Sequence, residues 1–196
     1  METSTTETKK NTQSLGFFKI SIILVSSLVS IFLIYLYILP LIAEKATGLL
    51  PESVDNYIGD MAMESLEINL DVDVEKTKYL KQFAAEINLS NTKPLEFTIA
   101  NSNEVNAFAL PNGQIFIYSA ILDNMNSYDE LVALIGHEAS HVNSRHAIKE
   151  ISRNLGGYMM LSIVFGDVNG ITSLLAENAH QLQSLSYSRK FEKEAD

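Results

Sequence analysis

The chain has 196 residues, no cysteine and a formal net charge of −10, from 14 Lys and Arg against 24 Asp and Glu. That length fits one globular domain plus an additional segment. The acidic balance argues against a nucleic-acid partner, because no basic stripe is present to neutralise phosphates. The lack of cysteine rules out a disulfide framework without fixing a compartment, since about 150 residues can bury enough apolar surface to fold without one.

Residues 1–16 are polar and rich in Thr and Ser, the composition of a disordered tail. Residues 17–43 read as a membrane anchor, with no charged side chain from Ile20 to Ala43. As a helix that run is about 36 Å long, more than the ~30 Å of a hydrocarbon core. A cleaved signal peptide would have an apolar region of only ~7–15 residues and a small-residue cleavage site. Here the run continues through Tyr35, Tyr37 and Pro40, so an uncleaved single span is the expectation. Lys9, Lys10 and Lys19 precede it, while Lys45 follows amid Glu44, Glu52 and Asp55. By the positive-inside rule the N-terminus is cytoplasmic and the bulk of the chain extracytoplasmic, which in a Gram-negative cell means periplasmic.

Residues 44–90 look helical, with Pro51 marking a start and Leu66, Ile68 and Leu70 ambiguous between helix and strand. The acidic residues between Glu44 and Glu75 read as a solvated surface. Short strands are expected at Phe97–Ile99, Val105–Leu110 and Gln114–Tyr118, the last two joined by a hairpin turn at Pro111-Asn112-Gly113. Two roles are open for this hairpin: structural support, or a sheet edge that offers backbone hydrogen bonds to an extended peptide.

A helix follows, opened by a capping box of Ser127 and Glu130 and patterned by Leu131, Leu134, Ile135, Val142 and Ile148. Within it stands His137-Glu138-Ala139-Ser140-His141, the pattern His-Glu-x-x-His. Positions four apart lie ~40° from each other round a helix, so both imidazoles can reach one metal. Glu138 lies about a quarter turn away, placed to take a proton from an attacking water without being a ligand, as in zinc hydrolases. Gly136 is costly inside a helix and implies either tight packing or the close approach of another backbone. Beyond this helix, Leu155–Gly166 is apolar but short for a membrane span, so a buried core helix is favoured over a segment dipping into the bilayer.

Catalytic zinc has three protein ligands and one open position, so a third ligand must be found. The extended pattern with a nearby third His would need Gly at 144 and His at 147, where the chain has Ser144 and Ala147. His146 is about 140° round the helix from His141, which suits a surface or supporting group better than a ligand. His180 is a free candidate. So is the terminal segment, where Glu192 and Asp196 share a helical face as a carboxylate ligand and a carboxylate supporting an imidazole. The competing account of that segment is a salt-bridged exposed face built from Arg189, Lys190, Glu192, Lys193 and Glu194.

Three blocks taken together resemble metallopeptidase family 48. They are Asn106–Phe116, then Leu134–Val142 with Arg145-His146, then Tyr187-Ser188-Arg189 with Glu192–Asp196. That family includes the HtpX, CAAX prenyl, Oma-type and BepA-type proteases, and a single N-terminal span is closest to the last two types. The resemblance implies a zincin-like α+β domain over residues 44–196, with helices packed on a small, mostly antiparallel sheet whose edge holds substrate. It implies one Zn²⁺ per chain, with His137, His141 and Glu192 as ligands, Glu138 as the base and Asp196 supporting a zinc-bound histidine. Polypeptide substrates and quality control of envelope and membrane proteins follow from the same likeness. The alternative is a membrane-anchored, non-catalytic scaffold or chaperone-like module; a closed, structural zinc site is a third reading. The chain ends on Asp196, where the family pattern continues, so the domain reads as truncated.

Overall fold

Within Gln114–Tyr118 four apolar side chains stand in a row, Ile115 to Tyr118, and the fold accounts for that pattern. This strand, β3, is the middle of a three-stranded sheet and is covered on both faces. The computed structural model describes residues 3–67, 70–87, 89, 92–156, 166–167, 169–170, 173 and 187–196. His180 and most of the apolar run 155–166 lie outside the described residues.

The first helix, α1 (Thr3–Leu33), passes through a π-helical turn at Ile34–Ile38 into α2 (Leu39–Ala46) and a 3-10 turn at Thr47–Leu49. Pro40 explains the π turn. It has no N–H to donate, and its ring would clash with the carbonyl four residues back, so the helix widens just before it. Leu39 N–H accordingly bonds the Ile34 carbonyl, five residues back. Phe18–Leu49 is the one described helical stretch long and apolar enough to cross a membrane, and its most apolar window is wholly unburied. α1 begins at Thr3 and so takes in the polar segment expected to be disordered; no Pro or Gly interrupts that segment before Gly16.

Two helices lead to the sheet. α3 (Glu52–Glu67) starts directly after Pro51, and α4 (Val74–Glu86) is capped by the Asp73 carboxylate, which accepts from Lys76 N–H at 2.9 Å. The strands are β1 (Glu96–Ala100), β2 (Ala107–Ala109) and β3, close to the expected ranges, in the order β1-β3-β2. The small sheet is mixed, not mostly antiparallel. β1 pairs parallel with β3 over five positions, and β2 pairs antiparallel with it over three. The hairpin sends β3 back between β1 and β2, which forces the parallel pairing. Its turn needs Gly113, whose φ of 98° is left-handed and whose missing Cβ would sit 2.3 Å from the Pro94 carbonyl oxygen. α3 crosses this turn closely because Gly59 has no side chain; a Cβ there would meet Asn112.

Alternation along the strands divides the core in two. Ile115 and Ile117 join Phe97, Ile99 and Ala109 on one face, against Leu80 and Ala84 of α4 and Ile135 and Val142 of α6 (Tyr128–Asn143), which the short α5 (Ser119–Asp123) links to β3. Phe116 and Tyr118 join Phe108 and Ala100 on the other, against Val54, Ile58 and Ala62 of α3 and Ala147, Ile148 and Ile151 of α7 (His146–Leu155). The spacings in α3 and α7 are those of a single buried helical stripe. α2 does not hang free of this body. Ala43, Glu44 and Ala46 are buried, and α2 packs along α7.

Candidate metal site

The site is built on α6. Ser127 Oγ accepts from Glu130 N–H at 3.4 Å, and Glu130 reaches back to Asn126 N–H at 3.2 Å, one residue beyond the usual capping-box partner. Ile135, fully buried, and Val142, 3% exposed, fix the helix against the sheet. That leaves His137, Glu138 and His141 on the side facing α8 (Arg189–Ala195), a short C-terminal helix. α8 is seated by Phe191, which is fully buried, and by Lys190, whose ammonium donates to the buried Glu44 carboxylate at the end of α2.

Glu192 on α8 and Asp196, the residue that caps its end one turn later, straddle the ring of His137. Glu192 Oε2 is 3.4 Å from its Nε2, and Asp196 Oδ1 is 3.0 Å from its Nδ1. His141 Nε2 faces His137 Nε2 at 3.0 Å. The two histidine donors and the Glu192 donor all lie within 4.8 Å of one another. At that distance one imidazole can donate to the other, or both can turn lone pairs to a shared cation. Asp196 on His137 Nδ1 favours the tautomer whose Nε2 carries a lone pair. Two neutral imidazole nitrogens and a carboxylate are a donor set that zinc takes, so the residues present fit the ion. The structure thus brings His137, His141 and Glu192 together and sets Asp196 behind His137, while Glu138 stands beside them without joining the cluster.

Electrostatics suit the same chemistry. Glu138 is only 6% exposed. Burial, with Glu192 nearby, pushes its carboxyl up to about 7 from an ordinary 4.5. A carboxylate poised near neutrality can both take and return a proton. Burial, then the neighbouring His137 and His141's other neighbour His146, push His141 down to about 3, which keeps it the neutral donor a metal requires. Tyr187 stacks on the His141 ring, 4.1 Å between centroids, and burial together with Glu138, Glu192 and Glu150 pushes its hydroxyl upward.

Two residues near the motif are placed otherwise than spacing implies. His146 is no surface group: it is fully buried, with Nδ1 2.9 Å from His141 Nδ1. Arg145, just before it, is the one non-glycine residue with positive φ among the described residues, at 56°. That left-handed joint ends α6 and restarts the chain as α7, which is why the 140° computed for an unbroken helix does not apply. A left-handed residue costs about 1–2 kcal/mol. The side chain offsets it by pairing Nη2 with Asp55 Oδ2 at 2.9 Å and Nε with Asp55 Oδ1 at 3.1 Å, while Nη1 donates to the Thr47 and Leu50 carbonyls. No periodicity argument would have found this clamp. A Cβ on Gly136 would meet nothing within 4 Å, so packing does not explain the glycine. It lines an open groove of about 680 Å³ beside His137, with Met125, Glu130 and Leu134.

Helices on a small sheet, with two imidazoles, a carboxylate and a buried glutamate converging on one spot, define the metallopeptidase class. The chain belongs to peptidase family M48, whose family model matches residues 74–196. It is 33% identical over 101 residues to the mitochondrial metalloendopeptidase OMA1 of Arabidopsis thaliana, covering 52% of this chain and 20% of that protein. It is 27% identical over 148 residues to the metalloprotease LoiP of Escherichia coli, covering 71% and 58%. It is also 29% identical over 115 residues to the beta-barrel assembly-enhancing protease of Yersinia pestis, covering 56% and 24%. The chain thus spans less than two thirds of the length of these relatives.

Proposed function

We propose that this protein is a membrane-anchored zinc endopeptidase. His137 Nε2, His141 Nε2 and Glu192 Oε2 hold one Zn²⁺, and Asp196 accepts a hydrogen bond from His137 Nδ1. When bound, the ion supplies Lewis acidity, making water nucleophilic near neutral pH and polarising the scissile carbonyl. Glu138 takes the proton of the attacking water and passes it to the leaving amine. An extended peptide lies along the outer edge of β2, the strand against which α6 packs, and there it forms backbone hydrogen bonds in the manner of an added strand. The observation that carries the reading is the convergence of three donors, two of them more than fifty residues from the third in sequence, beside a buried glutamate that is not one of them.

On the same proposal residues 1–16 are cytoplasmic, 17–43 span the bilayer and 44–196 form the peptidase domain outside the cytoplasm. The unburied apolar helix and the lysines before it support that topology. Substrates are misfolded or misassembled proteins of the membrane and envelope, a role in keeping with a relative named for beta-barrel assembly. Glu138→Gln tests the chemistry. Zinc content should stay at one per chain while cleavage of an unfolded protein substrate falls by at least about 100-fold; cleavage at the wild-type rate in protease-free material overturns Glu138 as the base, and a wild-type chain that cleaves nothing while Glu138→Gln keeps full function in cells overturns the reading in favour of a non-catalytic scaffold.

A further inference from the structure

Each of the two imidazoles at the site has a second nitrogen to account for. For His137 it is Nδ1, met by Asp196. For His141 it is also Nδ1, and the group that meets it is another imidazole, His146, at 2.9 Å between the two Nδ1 atoms. Nitrogens that close need one hydrogen between them, and a neutral imidazole carries a single N–H. With His141 Nε2 presenting its lone pair to a metal, the ring's hydrogen sits on Nδ1 and is donated to His146. His146 must then accept at Nδ1 and carry its own hydrogen on Nε2. That nitrogen is buried and unsatisfied as placed, and the acceptor within reach of it is the Glu194 carboxylate, Oε2 at 3.5 Å.

We infer that His146 and Glu194 are positioning residues, a relay that fixes the tautomer and ring orientation of His141; this rests on His141 being a metal ligand. His146 is itself held by the ring of Phe191, stacked at 4.6 Å and 19°, so α8 fixes both ends of the relay. The consequence is a division of labour along one short helix. Glu192 offers its carboxylate to the metal, Asp196 backs His137 directly, and Glu194 backs His141 through His146. A buried ring cannot find a replacement acceptor in water, so loss of the relay leaves the His141 ring free to turn its hydrogen toward the metal.

A double-mutant cycle on the full chain in detergent tests this, read as zinc affinity by chelator competition. His146→Leu keeps bulk and removes the acceptor, and affinity should fall roughly 10–100-fold. His146→Gln, whose amide both accepts and donates, should recover most of that loss. Glu194→Ala should weaken binding several-fold in the wild-type background and leave it unchanged in the His146→Leu background, where the relay is already cut. Wild-type affinity in His146→Leu, or equal Glu194→Ala effects in both backgrounds, overturns the relay. Should His146→Leu not fold, as judged by melting of the metal-free chain, His146→Met, which also keeps bulk and lacks a strong acceptor, takes its place in the cycle. A wild-type chain that takes up no zinc, or a His141→Ala chain that binds it as tightly as the wild type, overturns the ligand assignment itself. Zinc lost in His141→Ala but kept in His146→Leu overturns the relay alone.

Discussion

α6 and α8 face each other across the site and are made differently. α6 has 16 residues, a serine cap and two core side chains against the sheet. α8 has 7 residues, no side-chain cap and one buried side chain, Phe191. A helix that short does not persist in water on its own, so α8 exists where it does because tertiary contacts hold it. The ligands and base on α6 are therefore set largely by local structure, while the position of Glu192 reports on how the rest of the domain is packed.

Removing Phe191 should break this difference most sharply. Phe191→Ala is expected to cost about 3–5 kcal/mol in denaturant melts and to lower zinc affinity as well, since Glu192 and Asp196 lose their seat; unchanged zinc affinity would mean that α8 is held some other way. The next effect concerns Glu138. In the metal-free chain its folded-state value of about 7 lies above the ordinary 4.5, so the folded state holds the proton more tightly than the unfolded one. The stability this contributes is fully present below about 4.5 and is lost as pH rises through about 7, some 3 kcal/mol in all. Relative to Glu138→Gln, the chelated wild type should weaken over that interval, and Glu192→Gln should narrow the effect without removing it because burial is the larger cause. A difference between the two chains that does not vary with pH would place Glu138 in water.

Smaller changes sharpen the contrast. Ser127→Ala should cost about 1 kcal/mol through the lost cap while zinc affinity, measured by chelator competition, stays put; a tenfold loss would show that α6 is as dependent on its surroundings as α8. Lys190→Gln should cost less than about 1 kcal/mol, because the lysine is mostly exposed and its attraction for Glu44 is screened. Its signature would be a modest fall in zinc affinity rather than in melting temperature.

What could be read in the sequence follows the same division. The long apolar helix, the strands at 97–99 and 114–118 and the start of α6 all rest on local signals: unbroken apolarity, alternation and a cap. The hairpin turn rests on Gly113, and there backbone sterics leave little choice. By spacing alone Glu192 and Asp196 are no better than an exposed ion-paired face, because what places them at His137 is the burial of Phe191 of α8 against His146 of α7. Of the two places spacing leaves for His146, surface or support, burial against His141 removes the first, and spacing misses this for a sharper reason. The angle from His141 assumes one continuous helix, and the left-handed joint at Arg145 is stabilised by Asp55, ninety residues earlier. The mixed sheet likewise depends on strand order, which local pattern does not encode.

The packing of α2 along α7 has one more consequence. Because the last turns of the apolar helix are also part of the domain's core, no slack joins the two. On the proposed topology the peptidase domain then works like a blade at a fixed height above the bilayer instead of a weight on a string.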